Sequence, residues 1–224
     1  MDLHLASLEP DVQARLLFLR SDELLFQWND ETNNLQSKLI ASQDAKMAFA
    51  KMEEDTGWLP NGVLRSGRNS RGAWVVYIAP PQIMKISTDQ NESLTLPIPM
   101  SLLIGWGHRY YLYALKGKTF HTDQPVYRAP YPNVYENGRI CWGSHKVPAV
   151  TPLTIGKTWQ FFFATTFNSH IASGKTKTHR DNALDLLQEL SITGKKTFPA
   201  RELVQQAPSV NAWLDGLLKR IEDE

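Results

Sequence analysis

The stretch YPNVYENGRICWG, Tyr131–Gly143, separates two kinds of sequence in a chain of 224 residues. Apolar runs typical of strands come before it, and segments with helical spacing of apolar residues come after it. This order predicts an α+β fold: an antiparallel β-meander flanked by helices, a cysteine loop after the sheet, and a helical C-terminus. The loop holds Cys141, which is the only cysteine in the chain.

The segments before the loop predict strands that are joined by turns. ARLLFLR and ELLFQWN flank a short polar turn and indicate a hairpin. AWVVYIA indicates a buried strand that ends at Pro80-Pro81, with QIMKIST as its candidate partner. Two prolines in SLTLPIPMSLLIGWG predict an interrupted or edge strand, and HRYYLYALKG predicts a strand with mixed faces. GWLPNGVLRSGRNSRG predicts a loop or loosely extended connection.

Five segments predict helices. The first covers residues 42–55, with Ser42 as its N-cap and Gly57 after its end. TIGKTWQFFFATTFNSHIAS is aromatic, and its WQFFF is expected to back the sheet. THRDNALDLLQELSITG has one apolar face, and FPARELVQQA and SVNAWLDGLLKRIEDE predict two further short helices. The tryptophans expected in the core are Trp58, Trp74, Trp106 and Trp213.

Composition and charge exclude several classes of protein. A net charge of +1 gives no indication of nucleic acid or of a membrane surface as a partner. The first residues lack a basic region followed by an apolar run, and no window approaches 18 apolar residues, so we expect no secretory signal and no membrane-spanning helix. A single cysteine excludes an internal disulfide framework and fits a cytoplasmic location.

The loop around the cysteine predicts a turn with two arms. Asn137-Gly138 readily adopts the positive φ of a tight turn, and Pro130 and Pro132 favour an extended approach to it. Asn133 lies eight residues before Cys141, so the turn allows its carboxamide to come near the thiol. There it can donate a hydrogen bond to the oxyanion that forms when a nucleophile attacks a thioester.

The residues of this loop resemble the ubiquitin-conjugating (UBC) enzymes, in which the Asn of a His-Pro-Asn tripeptide lies eight residues before the catalytic cysteine. YPNVYENGRIC fits that frame without a gap. GWLPNGVL, VYRAPYPNVYENGRICWGS and FFATTFNSH more specifically resemble the bacterial UBC-like family known as PRTRC system protein B. The resemblance implies a single UBC-like domain over residues 1–224, with 57–170 as its most recognisable core. Residues 1–56 are then an N-terminal extension, or a leading hairpin and helix packed on that core.

The resemblance implies a transferase that carries a ubiquitin-like protein as a thioester and passes it to an amine. Cys141 matches the nucleophile and Asn133 the tripeptide asparagine. Support of the active-site loop falls to Tyr131, Pro132, Asn137, Gly138 and Trp142. Tyr131 replaces the family's largely structural histidine, and Trp142 replaces a smaller aliphatic residue, so the surface that meets a ligase or target differs from the eukaryotic pattern.

The resemblance also implies a set of partners. These are a ThiF-type activating enzyme, a ubiquitin-like protein and, from the same gene cassette, a JAB-type metalloprotease; related operons act in phage defence. No cofactor, metal, nucleic acid or membrane is implied. The protein acceptor is not encoded in a readable form.

Other interpretations compete with this one. A lone cysteine is often a buried small hydrophobe, and an idle Cys141 would make the protein a scaffold or binding module of the cassette. A redox-active thiol is the third interpretation. His145 suggests a Cys-His dyad and His170 a supporting role, although a loop or helix-end position accounts for each. The histidines show no spacing typical of zinc ligands, and the sequence selects neither Asp181 nor Asp185 as the group that aligns an incoming amine.

Overall fold

The structure is a computed structural model that describes residues 8, 11–19, 23–45, 57–69 and 72–223, with the backbone alone at residue 69 and at residues 220–223. The chain divides into two compact units, residues 1–57 and 58–224. None of the described helices is long and apolar enough to cross a membrane.

The first unit contains a three-stranded antiparallel sheet. Its strands are β1 (Ala14–Phe18), β2 (Glu23–Asn29) and β3 (Leu35–Ala41), in the order β1-β2-β3. The predicted hairpin is confirmed, because β1 pairs with β2 in antiparallel register. Residues 42–45 are helical, at the start of the helix predicted for 42–55. The remainder of that predicted helix lies outside the described residues, apart from Gly57 after its end.

The second unit contains nine strands and three helices among its described residues. The helices are α1 (Ile155–Ala164), α2 (Ala183–Ile192) and α3 (Val210–Asp223). The strands are β4 (Val63–Asn69), β5 (Gly72–Ala79), β6 (Gln82–Thr88), β7 (Ser93–Ile98), β8 (Met100–Trp106), β9 (Arg109–Leu115), β10 (Val126–Arg128), β11 (Thr166–Phe167) and β12 (Gln205–Ala207). One sheet has the order β12-β10-β9-β8-β5-β4, and a smaller one has the order β11-β6-β7. The predicted α+β class with antiparallel strands is confirmed.

Prolines divide one long hairpin between the two sheets. Ala79 lies opposite Ser101 in the large sheet, and Gln82 lies opposite Ile98 in the small one. Both strands advance by three residues between these pairs, so β5–β6 and β7–β8 keep a single register across the break. Proline lacks the N–H that a ladder requires, and it stands in both strands at this break, at Pro80-Pro81 and at Pro99. The strand predicted as interrupted or at an edge is therefore an interrupted one.

β9 is buried on both faces because helices cover both sides of the large sheet. Tyr110 and Leu112 point into a core that includes residues of α1 and α2. Tyr111 and Tyr113 point into a second core that includes residues of α3. The mixed pattern of HRYYLYALKG thus reflects two cores, with polar character confined to the exposed Arg109 at its start.

Local sequence was misleading in five places. QIMKIST is not the partner of AWVVYIA, because β5 pairs with β4 and β8 while β6 pairs with β7. Trp58 is fully exposed, so its prediction as a core residue is wrong. The segment GWLPNGVLRSGRNSRG, which predicts a loop or a loosely extended connection, contains the regular strand β4, where Gly67 makes room for the indole ring of Trp74. FPARELVQQA forms a short 3-10 turn, Ala200–Glu202, and then β12, because pairing with β10 outweighs helix propensity. The aromatic helix ends at Ala164, and the β-branched pair that follows is extended.

Candidate active site

The loop of Cys141 is a small hairpin closed by a tight turn. The N–H of Gly138 donates to the carbonyl of Tyr135 (2.9 Å), and the N–H of Tyr135 donates to the carbonyl of Arg139 (2.8 Å). Gly138 has a φ of +85°, and a Cβ at this position would overlap the ring of Tyr113. Glycine is therefore required here both for its backbone conformation and for the space that it leaves.

The two arms of this hairpin bring Asn133 and Cys141 directly opposite each other. The N–H of Cys141 donates to the carbonyl of Asn133 at 2.8 Å. The returning arm is also fixed to β9, because the N–H of Ile140 donates to the carbonyl of Tyr110 (2.8 Å) and that of Leu112 to the carbonyl of Gly138 (2.8 Å). The nucleophile candidate is thus held by the central sheet and not by a free loop.

Asn133 fastens the other arm to the small sheet. Its backbone has a φ of 62°, a left-handed conformation that asparagine tolerates better than most residues. Its side-chain Nδ2 donates to the carbonyl of Thr166 in β11 at 2.9 Å. A carboxamide has two N–H donors, so this bond shapes the loop while a second donor is left for another acceptor.

The hydroxyl of Tyr135 lies against the sulfur of Cys141. The hydrogen bond to Cys141 raises the pKa of Tyr135 above its usual value of 10.0, so the phenol keeps its proton at neutral pH. Cys141 itself is partly exposed. Tyr135 is not among the predicted site residues, although its spacing from Asn133 could have indicated it. Asn133 and Tyr135 flank the buried Val134, and this alternation puts both on the same side of the arm.

A cavity of about 240 Å³ opens beside the thiol. Cys141 and Asn133 line it together with the segment Trp142–His145 on one side and residues of 165–171, including His170, on the other. His145 and His170 therefore share the cavity of the cysteine. Asp181 and Asp185 do not line it, and no other described carboxylate does. Asp185 instead accepts a hydrogen bond from Nδ2 of Asn182 at 2.6 Å.

Tyr131 lies beneath the loop, inside the aromatic core. It is 1% exposed, and its ring centroid lies 5.2 Å from that of Phe163, with Phe162 and Phe167 further around it. Burial raises the pKa of Tyr131 well above its usual value, an effect that the Ser101 hydroxyl partly offsets. The Tyr131 hydroxyl has no hydrogen bond of standard geometry among the described residues. The side chain therefore contributes mainly through packing.

Trp142 forms an aromatic wall beside the cysteine. Its ring stacks on Phe161 at 5.9 Å and meets Tyr110 edge-on at 5.8 Å. The ring of His145 packs edge-on against the same Phe161 at 5.5 Å. The indole Nε1 of Trp142 is buried and has no hydrogen-bond partner among the described residues. The large residue after the cysteine thus ties the loop to α1, which carries Phe161.

Polar contacts hold the tip of the hairpin. Asn137 accepts from the N–H of Arg139 through Oδ1 (3.1 Å), and its carbonyl accepts from the Tyr113 hydroxyl. Glu136 pairs with Arg128 at 2.7 Å. Pro132 is buried on the approaching arm.

The segment 174–175 lies next to this ion pair and places a second cation, Lys175, near it. Nη1 of Arg128 donates to the carbonyl of Gly174 at 3.2 Å. The neighbouring Lys175 is 2% exposed, and its burial, with a smaller contribution from Arg128, lowers its pKa to about 8, against an opposing effect of Glu136. The tip of the hairpin that holds Cys141 is therefore linked to a buried positive charge.

Comparison with known proteins gives one match. The sequence model of a family described as prokaryotic E2 family D matches residues 36–206. No curated protein and no solved structure matches the chain. The described residues contain no group of three or more His, Cys, Asp or Glu that could hold a metal ion.

Proposed function

Because the chain belongs to prokaryotic E2 family D, we propose that it is a UBC-like transferase that accepts a ubiquitin-like protein as a thioester on Cys141. The observation that carries this proposal is the position of the only cysteine. It is partly exposed, it lines a cavity together with Asn133, and it lies directly across a hairpin from that residue. The acyl group is then passed to an amine.

In the first step, the thiolate of Cys141 attacks the carbonyl carbon of the thioester on an activating enzyme. A new carbon–sulfur bond forms, and the activating enzyme's sulfur leaves as a thiolate that takes up a proton from solvent. Tyr135 keeps its proton and donates a hydrogen bond to the Cys141 sulfur while that sulfur carries negative charge.

In the second step, an amine attacks the same carbonyl carbon and Cys141 leaves. The oxygen carries a negative charge in the tetrahedral intermediate, and the second amide N–H of Asn133 is a donor for it. The amine must lose a proton, and the bases that line the cavity are the imidazoles of His145 and His170. The proton passes to one of them, while the leaving Cys141 thiolate again accepts a hydrogen bond from Tyr135.

The finer assignment is a PRTRC system protein B type of enzyme. Its support is the likeness of GWLPNGVL, VYRAPYPNVYENGRICWGS and FFATTFNSH to segments of that family. On this assignment the partners are a ThiF-type activating enzyme, a ubiquitin-like protein and a JAB-type metalloprotease. The setting is a cytoplasmic conjugation cassette with a role in phage defence.

The test combines the full chain with a candidate ThiF-type adenylating enzyme, its ubiquitin-like protein and ATP. We expect a conjugate that a thiol reductant removes and that Cys141→Ala abolishes. Cys141→Ser is a useful partner variant, because its oxygen ester would survive reductant. A conjugate that persists in Cys141→Ala would place the nucleophile elsewhere. Failure with every candidate adenylating enzyme would favour a binding module of the same fold.

A further inference from the structure

A groove of about 440 Å³ lies at the bend of the long hairpin. It shares no lining residue with the cavity at Cys141. The two prolines of β5–β6 and the proline before β8 interrupt the strand ladder here, so regular pairing gives way to an open surface. Its apolar lining includes Ile83, Ile98, Met100, Leu115, Phe198 and Leu203.

One part of this apolar lining is exposed to solvent. Ile83 is 46% exposed, whereas Ile98 and Met100 are 1% and 2% exposed and provide a fixed floor. A pocket with a rigid apolar floor and an accessible rim is suited to a single apolar side chain of a partner. The opening therefore provides an anchor point that folding has already formed.

The charges around this floor are all of one sign. Lys116, Lys118 and Lys196 line the groove, and no described Asp or Glu lines it. The ammonium group of Lys116 lies 4.5 Å from the ring centroid of Tyr127, which fixes its position. Lys118 and Lys196 are exposed, and neither pairs with a carboxylate of another described residue. The positive potential at this groove is left for an external partner.

We propose that this groove binds an acidic segment of a partner protein, with one apolar side chain over Ile98 and several carboxylates facing the three lysines. Three cations on two separate loops require several negative charges, which an acidic polypeptide supplies and a small single-headed anion does not. The apolar floor gives the affinity and the lysines select the charge of the segment. This binding does not depend on the proposed thiol chemistry.

The test measures binding of two fluorescent peptides to the full chain by anisotropy. One peptide has acidic residues on both sides of a central Phe-Leu pair, and in the other serine replaces every acidic residue. We expect the acidic peptide to bind at least about tenfold more tightly. Lys118→Glu/Lys196→Glu should remove that preference. Lys195→Glu is the matched control, because Lys195 is exposed beside Lys196 but does not line the groove.

Further binding measurements test the apolar anchor at Ile83 and a membrane surface as the alternative occupant of the groove. Ile83→Ser should weaken binding of both peptides, and far-UV circular dichroism should show each variant folded, since the replaced side chains are exposed. Equal binding of the two peptides, binding of neither, or no loss in Lys118→Glu/Lys196→Glu would overturn the proposal. Vesicles of phosphatidylglycerol that bind the chain when the acidic peptide does not would assign the groove to a membrane surface instead.

Discussion

The cavity at Cys141 and the groove at the proline bend are built by opposite means. The groove is the larger, about 440 Å³ against about 240 Å³, and regular strands and prolines form its apolar floor. The cavity is formed by a hairpin with left-handed backbone at Asn133 and Gly138, and it holds the cysteine. Unusual backbone conformations beside a reactive group are typical of catalytic sites. An open apolar surface is typical of sites that bind a partner. The smaller of the two regions is therefore the one that holds the candidate nucleophile.

This contrast predicts that substitutions in and under the hairpin affect stability and transfer together. A substitution at an exposed residue outside both the cavity and the groove should change neither. Lys195→Glu therefore serves as a common control for the variants of the hairpin, measured by chemical denaturation and by formation of the reductant-sensitive conjugate.

The largest effect is expected for Tyr131→Ala. Removing a ring that is 1% exposed should cost about 3–5 kcal/mol of the free energy of unfolding. Transfer should fall more than binding of the ubiquitin-like protein, because the loop loses its support. Tyr131→Phe is the matched variant, and because the hydroxyl has no standard hydrogen bond it should stay within about 1 kcal/mol of the wild type. Unchanged transfer in Tyr131→Ala would refute the supporting role.

Next comes Gly138→Ala, which should destabilise the protein by roughly 2–4 kcal/mol through its positive φ and the overlap of the new Cβ with Tyr113. The control is Gly143→Ala. Gly143 also has a positive φ (+56°), but its Cβ would meet no atom within 4 Å, so only about 1 kcal/mol is expected. Equal losses in denaturant titrations of the two variants would mean that contact with Tyr113 does not hold the turn.

Asn133→Asp replaces the donor to the Thr166 carbonyl with an acceptor at nearly constant shape. We expect a loss of about 1–3 kcal/mol and a fall in single-turnover transfer of roughly tenfold or more. The comparison of the two readouts separates the two roles of this amide. Slowed transfer with unchanged stability would assign it to the oxyanion alone, and no change in either would remove it from the site.

The smallest effect on stability is expected for Lys175→Met, which removes a buried charge near Glu136 at the hairpin tip. Lys175 has a pKa of about 8 in the folded protein and of 10.5 as its ordinary value. Between these two pH values the unfolded chain therefore binds more protons at Lys175 than the folded protein does. The free-energy cost of burying the charged ammonium group is full below about pH 8 and is relieved as pH rises towards 10.5. Lys175→Met should raise stability at pH 7 by about 1 kcal/mol, and by less at pH 9.5. A gain that grows with pH in denaturant titrations would contradict this assignment.

The sequence predicted the hairpin of the active site because turn chemistry is local. Asn137-Gly138 and the eight-residue spacing placed Asn133 across from Cys141 without any long-range information. Tyr135 was not predicted as a site residue, because its approach to Cys141 depends on the alternation of side chains along an arm of only a few residues. His145 and His170 were visible as candidates, but only the fold brings them to one cavity.

The remaining errors follow from contacts that are distant in sequence. FPARELVQQA has helix-compatible composition, yet β10 is an available edge and turns its end into a strand. The arginine- and glycine-rich segment predicts a loop or a loosely extended connection and not a regular strand, because nothing local reveals that Trp74 occupies the space above Gly67. The groove at the proline bend could not be predicted either, since it requires Lys196 and Phe198 to meet a hairpin that lies about a hundred residues earlier.

The central claim is that the acyl group is carried on Cys141, and mass spectrometry of the conjugate tests it most directly. The charged protein, digested under non-reducing conditions, should yield a peptide with Cys141 acylated by the C-terminus of the ubiquitin-like protein. In Cys141→Lys the same position should carry an amide that survives reductant. Acylation of any other residue in the wild type, with Cys141 unmodified, would contradict the account.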